Sequence, residues 1–142
     1  MDAIVVVDAT VWVSRWMPRE INHDVSRQWV ERYAGEGGIF VAPAFILIEV
    51  AAAIARGTGD PQLARTVIRD LCFYNAVRIL SLKDELMWDA VDVAVSLQLR
   101  AGDAAYVAVA RRHNIPLVSW DKEQLRKASS LTTTYTPDEY PF

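Results

Sequence analysis

Four acidic residues occur in stretches where a solvated carboxylate is not expected. Asp8 ends the apolar run IVVV, and Asp121 comes shortly after the apolar stretch IPLVS. Glu49 lies inside FILIEVAAAI, and Asp103 opens the helical stretch GDAAYVAVARR, whose interior is mostly apolar. An unpaired charge in an apolar interior costs several kcal/mol. Each of these side chains therefore needs a hydrogen-bond partner, a proton, access to solvent or a cation.

Taken singly, each acid also has an ordinary structural interpretation. Asp8, Asp103 and Asp121 could cap helices or lie in their first turns, and Glu49 could pair with a buried arginine. Taken together, two of the acids follow strands whose carboxyl ends would share one edge of a parallel sheet. Carboxylates that converge there would repel one another, and a divalent cation removes that repulsion. Oxygen ligands alone favour Mg²⁺ or Mn²⁺ over zinc.

Strands and helices alternate along the predicted chain. Apolar, β-branched runs predict strands at 4–7, 39–41, 77–80, 115–119 and 131–135. Periodicity and capping signals predict helices at about 11–16, 24–33, 43–57 with Pro43 in the first turn, 61–75 after an Asp60 cap, 81–99 after a Ser81 cap, 102–114, and a short one after Asp121. This order predicts an α/β fold, a three-layer α/β/α sandwich with a mainly parallel sheet of about five strands. We expect one domain over residues 1–142.

The composition excludes several classes of protein. The chain has one cysteine and two histidines in unrelated contexts, which excludes an intrachain disulfide and argues against a zinc centre or a histidine dyad. Cys72 is predicted to be a small core residue. No apolar stretch approaches the roughly 20 residues of a membrane span, and no signal peptide is visible, so we expect a cytoplasmic protein. The net charge of −3 argues against binding nucleic acid through general charge, but not against a metal-dependent nuclease.

Four segments carry a resemblance to a known family: VVDATVWV, VAPAFILIEVAAAIAR, LRAGDAAYVAVARR and IPLVSWDKEQLRKA. In their order, spacing and total length they resemble the PIN-domain ribonucleases, especially the VapC toxins of prokaryotic toxin–antitoxin pairs. The resemblance covers essentially the whole chain. It places the family's acidic residues on Asp8, Glu49, Asp103 and Asp121.

The resemblance implies an endoribonuclease that depends on Mg²⁺ or Mn²⁺ and leaves a 5′-phosphate and a 3′-hydroxyl. Asp8, Asp103 and Asp121 would bind the metal, while Glu49 would bind it through water or orient the attacking water. Thr10 and Ser119 match hydroxyl residues of the family and would orient carboxylates or hold a phosphate oxygen. Many relatives carry tyrosine where this chain has Gly102, a departure expected to affect local packing more than metal chemistry.

The resemblance also implies partners. We expect a structured RNA substrate such as tRNA or rRNA, a cognate VapB-type antitoxin and a homodimer, with no membrane association. Trp12 and Trp16 are four residues apart and share one helix face. They could pack in the core or at a dimer contact, or they could line a groove for an antitoxin helix.

Two other function classes stay open on the sequence alone. One is a PIN-like module that binds a metal or a partner without catalysis. The other is a metal-dependent phosphatase or receiver-like phosphoacceptor, with Asp8 taking the phosphoryl group. The stretch DATV lacks the second aspartate of a DxD pair, and the nucleotide-binding patterns GxxxxGK[ST] and GxGxxG are absent.

Overall fold

Residues 3–142, which the computed structural model describes, form five β-strands, seven α-helices and one short 3₁₀ helix. In chain order these are β1 (Ile4–Val7), α1 (Ala9–Trp16), α2 (His23–Gly35), β2 (Ile39–Pro43), α3 (Phe45–Thr58), α4 (Pro61–Phe73), β3 (Val77–Leu80), α5 (Asp84–Leu97), α6 (Ala101–His113), β4 (Leu117–Val118), α7 (Lys122–Ala128), β5 (Thr134–Tyr135) and the 3₁₀ helix (Pro137–Glu139). None of the described helices is long and apolar enough to cross a membrane.

All five strands belong to one parallel sheet with the order β3-β2-β1-β4-β5. Parallel neighbours require crossover connections, and the helices between successive strands supply them. The predicted α/β class, with a three-layer arrangement and a mainly parallel sheet of about five strands, is confirmed. The strand bounds 4–7 and 77–80 agree with the sequence prediction.

The central strand β1 is buried because its side chains are apolar on both faces. Val5, Val6 and Val7 are at most 1% exposed, as expected for an inner strand of a parallel sheet. An aromatic cluster packs beside them, in which the Trp12 ring meets the Phe40 ring edge-on at 5.2 Å. Helix α6 packs against β1, β2 and β4, so the strand that leads to Asp8 is rigidly enclosed.

Pro43 and Ser81, the residues predicted to open α3 and to cap α5, do not have these roles. Pro43 does not open α3 but ends β2, where it pairs with Leu80 of β3. A proline is tolerated at a strand end because its missing N–H removes few ladder hydrogen bonds. Ser81 does not cap α5, which begins at Asp84. Residues 81–83 are not helical, and Leu82 packs its side chain against the core.

The prediction that Cys72 is a core residue is wrong, because its thiol is exposed. The buried stripe of α4 consists of Ala64, Val67 and Leu71, spaced three and four residues apart. Cys72 directly follows Leu71 and is therefore turned about 100° away from that stripe. The prediction rested on the apolar residues that adjoin Cys72 in the sequence. In a helix, however, burial follows the spacing of residues along one face and not the local composition.

The two tryptophans of α1 have separate environments. Trp12 is 1% exposed and belongs to the core, so its assignment to a partner groove is wrong. Trp16 stacks on Trp12 at 5.7 Å between ring centroids but stays partly exposed. Only Trp16 of this pair can contact another molecule.

Candidate active site

The candidate site lies at the carboxyl ends of β1 and β4. The chain passes from β1 to β2 and β3 on one side of the sheet, then crosses to β4 and β5 on the other. The strand order therefore reverses between β1 and β4, which is where open α/β sheets form a ligand crevice. Asp8 follows β1 directly, and Asp121 follows β4 after a turn of two residues.

Asp8 is a carboxylate that is almost completely removed from solvent, at 3% exposed. Its Oδ1 accepts hydrogen bonds from the Thr10 hydroxyl at 2.5 Å and the Thr10 backbone N–H at 3.1 Å. Its Oδ2 accepts from the Ser119 hydroxyl at 2.6 Å. Burial raises the pKa of Asp8 from 3.8 to about 7, although both hydroxyls act to lower it. The negative charges of Glu49 and Asp103 also raise this pKa, so neighbouring acids add to the cost of ionising Asp8.

Thr10 and Ser119 connect Asp8 to the turn that follows β4. The Thr10 hydroxyl oxygen accepts the Trp120 backbone N–H at 2.9 Å. The Ser119 hydroxyl oxygen accepts the Asp121 backbone N–H at 2.9 Å. Each hydroxyl thus donates to the carboxylate and accepts from the turn, which couples the position of Asp121 to that of Asp8. Their predicted role in orienting Asp8 remains a prediction that these contacts support.

Asp103 lies close enough to Asp121 for the charge of Asp121 to affect its pKa. Burial is the main cause that raises the pKa of Asp103, and the charge of Asp121 raises it further. Arg100 and Lys127 oppose this and lower it. Asp103 lies in the first turn of α6, whereas the Asp121 side chain caps α7 by accepting the Gln124 backbone N–H at 3.1 Å. The capping interpretation of Asp121 is therefore correct, and it coexists with proximity to the other acids.

Glu49 reaches the same cluster from α3. Its Oε1 accepts the Tyr106 hydroxyl at 2.6 Å, so its partner is a tyrosine and not the buried arginine that the sequence had left open. Burial raises the pKa of Glu49, the Tyr106 hydrogen bond lowers it, and the charge of Asp103 raises it. Tyr106 is 1% exposed, and burial together with the Glu49 charge raises its own pKa, which keeps its hydroxyl protonated as a donor.

Tyr106 was not identified from the sequence as a residue of the candidate site. The available signal was its position three residues after Asp103, because residues three apart lie on the same helix face. A buried tyrosine also needs a partner for its hydroxyl, which makes it a candidate wherever an unpaired acid is expected nearby.

Gly102 borders Glu49 directly. A Cβ atom at position 102 would lie 2.9 Å from Cε1 of Phe45 and 3.1 Å from Oε1 of Glu49. The departure from the tyrosine of many relatives therefore affects the site itself and not only nearby packing. Glycine at this position allows α6 to approach the carboxylate of α3.

The donor set fits a hard divalent cation in type. All four acids present oxygen, and the charges of Glu49 and Asp103 already destabilise ionised Asp8, a cost that a cation would remove. As the side chains stand, however, no three Asp, Glu, His or Cys residues within 3–142 form a group close enough to hold a metal ion. The carboxylate oxygens and their negative charge thus suit Mg²⁺ or Mn²⁺, but the described side chains are not already arranged at metal-binding distances.

Comparisons with known proteins agree with this fold. A family model described as the PIN domain matches residues 5–130. VapC20 from Mycobacterium tuberculosis, a sarcin-ricin loop cleaving toxin, superposes with a TM-score of 0.72 at 17% identity, over 86% of this chain and 93% of that one. VapBC2 from Rickettsia felis, bound to a DNA fragment from its promoter, gives a TM-score of 0.72 at 12% identity, over 94% and 98% of the two chains. PAE2754 from Pyrobaculum aerophilum superposes with a TM-score of 0.64 at 20% identity, over 94% of this chain and 92% of that one. At these identities the likeness establishes the fold, and no curated protein gave a significant match.

The raised pKa of Asp8 predicts how stability depends on pH. Between 3.8 and about 7 the folded state holds a proton on Asp8 that the unfolded state has lost. The contribution of Asp8 to the free energy of unfolding is therefore greatest below pH 3.8 and is lost as the pH rises through 7. Asp8→Asn cannot ionise, so at pH 8 it should be more stable than the native chain, by on the order of a few kcal/mol. Below about pH 4 this advantage should disappear.

Urea unfolding at both pH values, in a chelating buffer, measures this difference. Asp138→Asn is the matched control, because Asp138 is exposed and its substitution should leave the pH profile unchanged. Equal stability of Asp8→Asn and the native chain at pH 8 would contradict the pKa assigned to Asp8.

Proposed function

The chain belongs to the PIN-domain family, and on that basis we propose that it is an endoribonuclease that depends on Mg²⁺ or Mn²⁺. We further propose that it is the toxin of a type II toxin–antitoxin pair and acts on structured RNA. The observation that carries this proposal is the buried Asp8 carboxylate at the sheet's reversal point. The charges of Glu49 and Asp103 act on Asp8, and the charge of Asp121 acts on Asp103. VapC20, which shares the fold, is a sarcin-ricin loop cleaving toxin, and this supports RNA as the substrate class.

Each acid takes a role from its environment. Asp8, Asp103 and Asp121 would hold the cation with their carboxylate oxygens. Once bound, the cation would supply a lowered pKa for coordinated water and neutralise charge on the phosphoryl oxygens. Thr10 and Ser119 keep the Asp8 carboxylate in one orientation through hydrogen bonds to its two different oxygens.

Glu49 is suited to handle the proton of the attacking water. Its Oε1 is held by Tyr106, whereas its Oε2 has no hydrogen-bond partner among residues 3–142. Oε2 would accept the proton as the water oxygen bonds to phosphorus. The bond from phosphorus to the 3′ oxygen then breaks, and the departing oxygen takes a proton from solvent water. The products carry a 5′-phosphate and a 3′-hydroxyl.

Substitution of Asp8 tests this proposal. Asp8→Asn should abolish Mg²⁺-dependent cleavage of tRNA and rRNA, because the central anionic ligand is lost while the fold is retained. The measurement is sequencing of RNA ends after incubation with the purified chain, with EDTA added to a parallel sample. Asp138→Asn should cleave at the native rate. Cleavage by Asp8→Asn at the native rate, or native cleavage in EDTA, would contradict the proposal.

A VapB-type antitoxin is the protein partner that we propose. Trp16, Met17 and Leu63 lie along a cavity of about 360 Å³ between the end of α1 and the α3–α4 region. Leu63 is 41% exposed although it is apolar, and Trp16 is an aromatic of the type enriched at the centre of interfaces. This surface suits the apolar face of a partner helix.

If the antitoxin binds at this cavity, substitution of Trp16 should weaken its binding. Trp16→Ala should weaken binding of a cognate VapB-type antitoxin by about tenfold or more, because aromatic anchors dominate such interfaces. Phe73→Ala is the control, since Phe73 is 79% exposed at the end of α4 and does not line this cavity. Isothermal titration calorimetry gives both affinities. If Trp16→Ala bound the antitoxin with unchanged affinity, the proposal that this cavity binds the antitoxin would be wrong.

Three further expectations remain predictions: one domain over 1–142, a cytoplasmic location and a homodimer. The homodimer is supported by an apolar stripe on α5, where Trp88 is 72% exposed, Val91 43% and Val95 74%. Their spacing of three and four residues gives one helix face that is open to a second copy. Light scattering of the purified chain tests this expectation.

A further inference from the structure

A cavity of about 520 Å³ opens beside the acidic cluster, between α1, α3 and the turn after β4. Thr10 and Glu49 line it, so it is continuous with the candidate active site. Ile48, Ala52 and Trp120 supply apolar walls. The volume lies within the range of small-ligand pockets, roughly 300 to 1,000 Å³, and leaves room for a single nucleoside.

Trp120 is held in a fixed orientation at the edge of this cavity. Its backbone N–H donates to the Thr10 hydroxyl at 2.9 Å, and its ring Nε1–H donates to the Ser26 hydroxyl at 2.8 Å. Ser26 is fully buried and lies 2.6 Å from the Ser14 hydroxyl, which in turn donates to backbone carbonyls of α1. The ring is thus ordered before any ligand arrives. A pre-ordered aromatic face loses little entropy when a planar group stacks on it.

Polar groups on the same cavity match the edges of a base and its phosphate. Asn22 and Glu20 line it and offer both a donor and acceptors for a base edge. Arg56 also lines it, is exposed, and has no ion-pair partner among residues 3–142. A guanidinium binds phosphate well because its planar fork of donors matches two phosphate oxygens.

We propose that this cavity binds one unpaired nucleobase of the RNA strand, next to the phosphate that is cleaved. The base stacks on Trp120, its edge meets Asn22 and Glu20, and Arg56 contacts a flanking phosphate. The assignment rests on the proposed ribonuclease function and adds its specificity: the enzyme acts where a base is free to leave its stack. An apolar peptide segment fits less well, because the cavity joins the acidic cluster directly and carries three charged side chains.

Binding to a strand with and without bases tests the proposal. The probe is a fluorescein-labelled single-stranded oligoribonucleotide of ten nucleotides, compared with an abasic strand of the same length. Both are titrated by anisotropy against full-length Asp8→Asn, which should not cleave them. Adding Trp120→Ala should weaken binding of the base-bearing strand by about 5- to 100-fold and leave the abasic strand unchanged.

Three controls sharpen the comparison. Adding Trp120→Phe instead should retain most of the stacking, which shows that folding is not the cause of the loss. Adding Arg56→Gln should weaken both strands, because it removes a phosphate contact, whereas Arg69→Gln on the exposed side of α4 should change neither. Equal loss for both strands in the Trp120→Ala variant, or no loss for either, would overturn the assignment of a base.

Cleavage assays separate this proposal from the function on which it rests. If the native chain cleaves RNA with Mg²⁺ and Trp120→Ala leaves KM unchanged, the base pocket is wrong and the ribonuclease stands. If base-dependent binding is observed but no RNA is cleaved, the pocket stands and the ribonuclease is wrong. If Trp120→Ala weakens only antitoxin binding, the cavity belongs to a protein partner and the proposal is overturned.

Discussion

The buried carboxylate of Asp8 is the constraint on which the candidate site depends. Burial and the neighbouring acids make its ionisation costly, and the hydrogen bonds from Thr10 and Ser119 offset only part of that cost. Each hydroxyl also accepts a backbone N–H from the turn after β4. The same contacts that hold the carboxylate therefore define the turn that carries Trp120 and Asp121.

The apolar sheet makes this arrangement possible. β1 is the middle strand, and its valines pack against the core on both faces of the sheet. Asp8 directly follows this strand, so its backbone is held in a fixed position. The other acids arrive on helices that pack against this framework: Glu49 on α3 and Asp103 on α6. Gly102 allows these two helices to approach closely, and Tyr106 then bonds Glu49 across the gap. Charge is thus concentrated at one sheet edge by packing that is mostly apolar.

Much of this organisation could be predicted from the sequence, because β-branched runs and helical periodicity determine which residues face the core. The alternation of elements predicted the parallel sheet, and the position of Asp8 and Asp121 after strands predicted that they share an edge. Tyr106 and the contact of Gly102 with Glu49 could not be predicted, since both depend on how closely two helices pack. The environments of Trp12 and Cys72 were equally hard to predict. Trp12 lies on the side of α1 that faces the core and is buried. Cys72 is exposed beside the buried Leu71, because neighbouring residues of a helix point about 100° apart.

We propose that Asp8 anchors a divalent cation among these acids. A crystal of the native chain soaked in Mn²⁺ tests it directly through the anomalous difference map recorded at the manganese edge. We expect a peak at direct coordination distance, roughly 2.1 Å, from a carboxylate oxygen of Asp8, with Asp103 or Asp121 also contacting the ion or its waters. Mn²⁺ bound elsewhere on the chain, with no peak at Asp8 under saturating conditions, would contradict it.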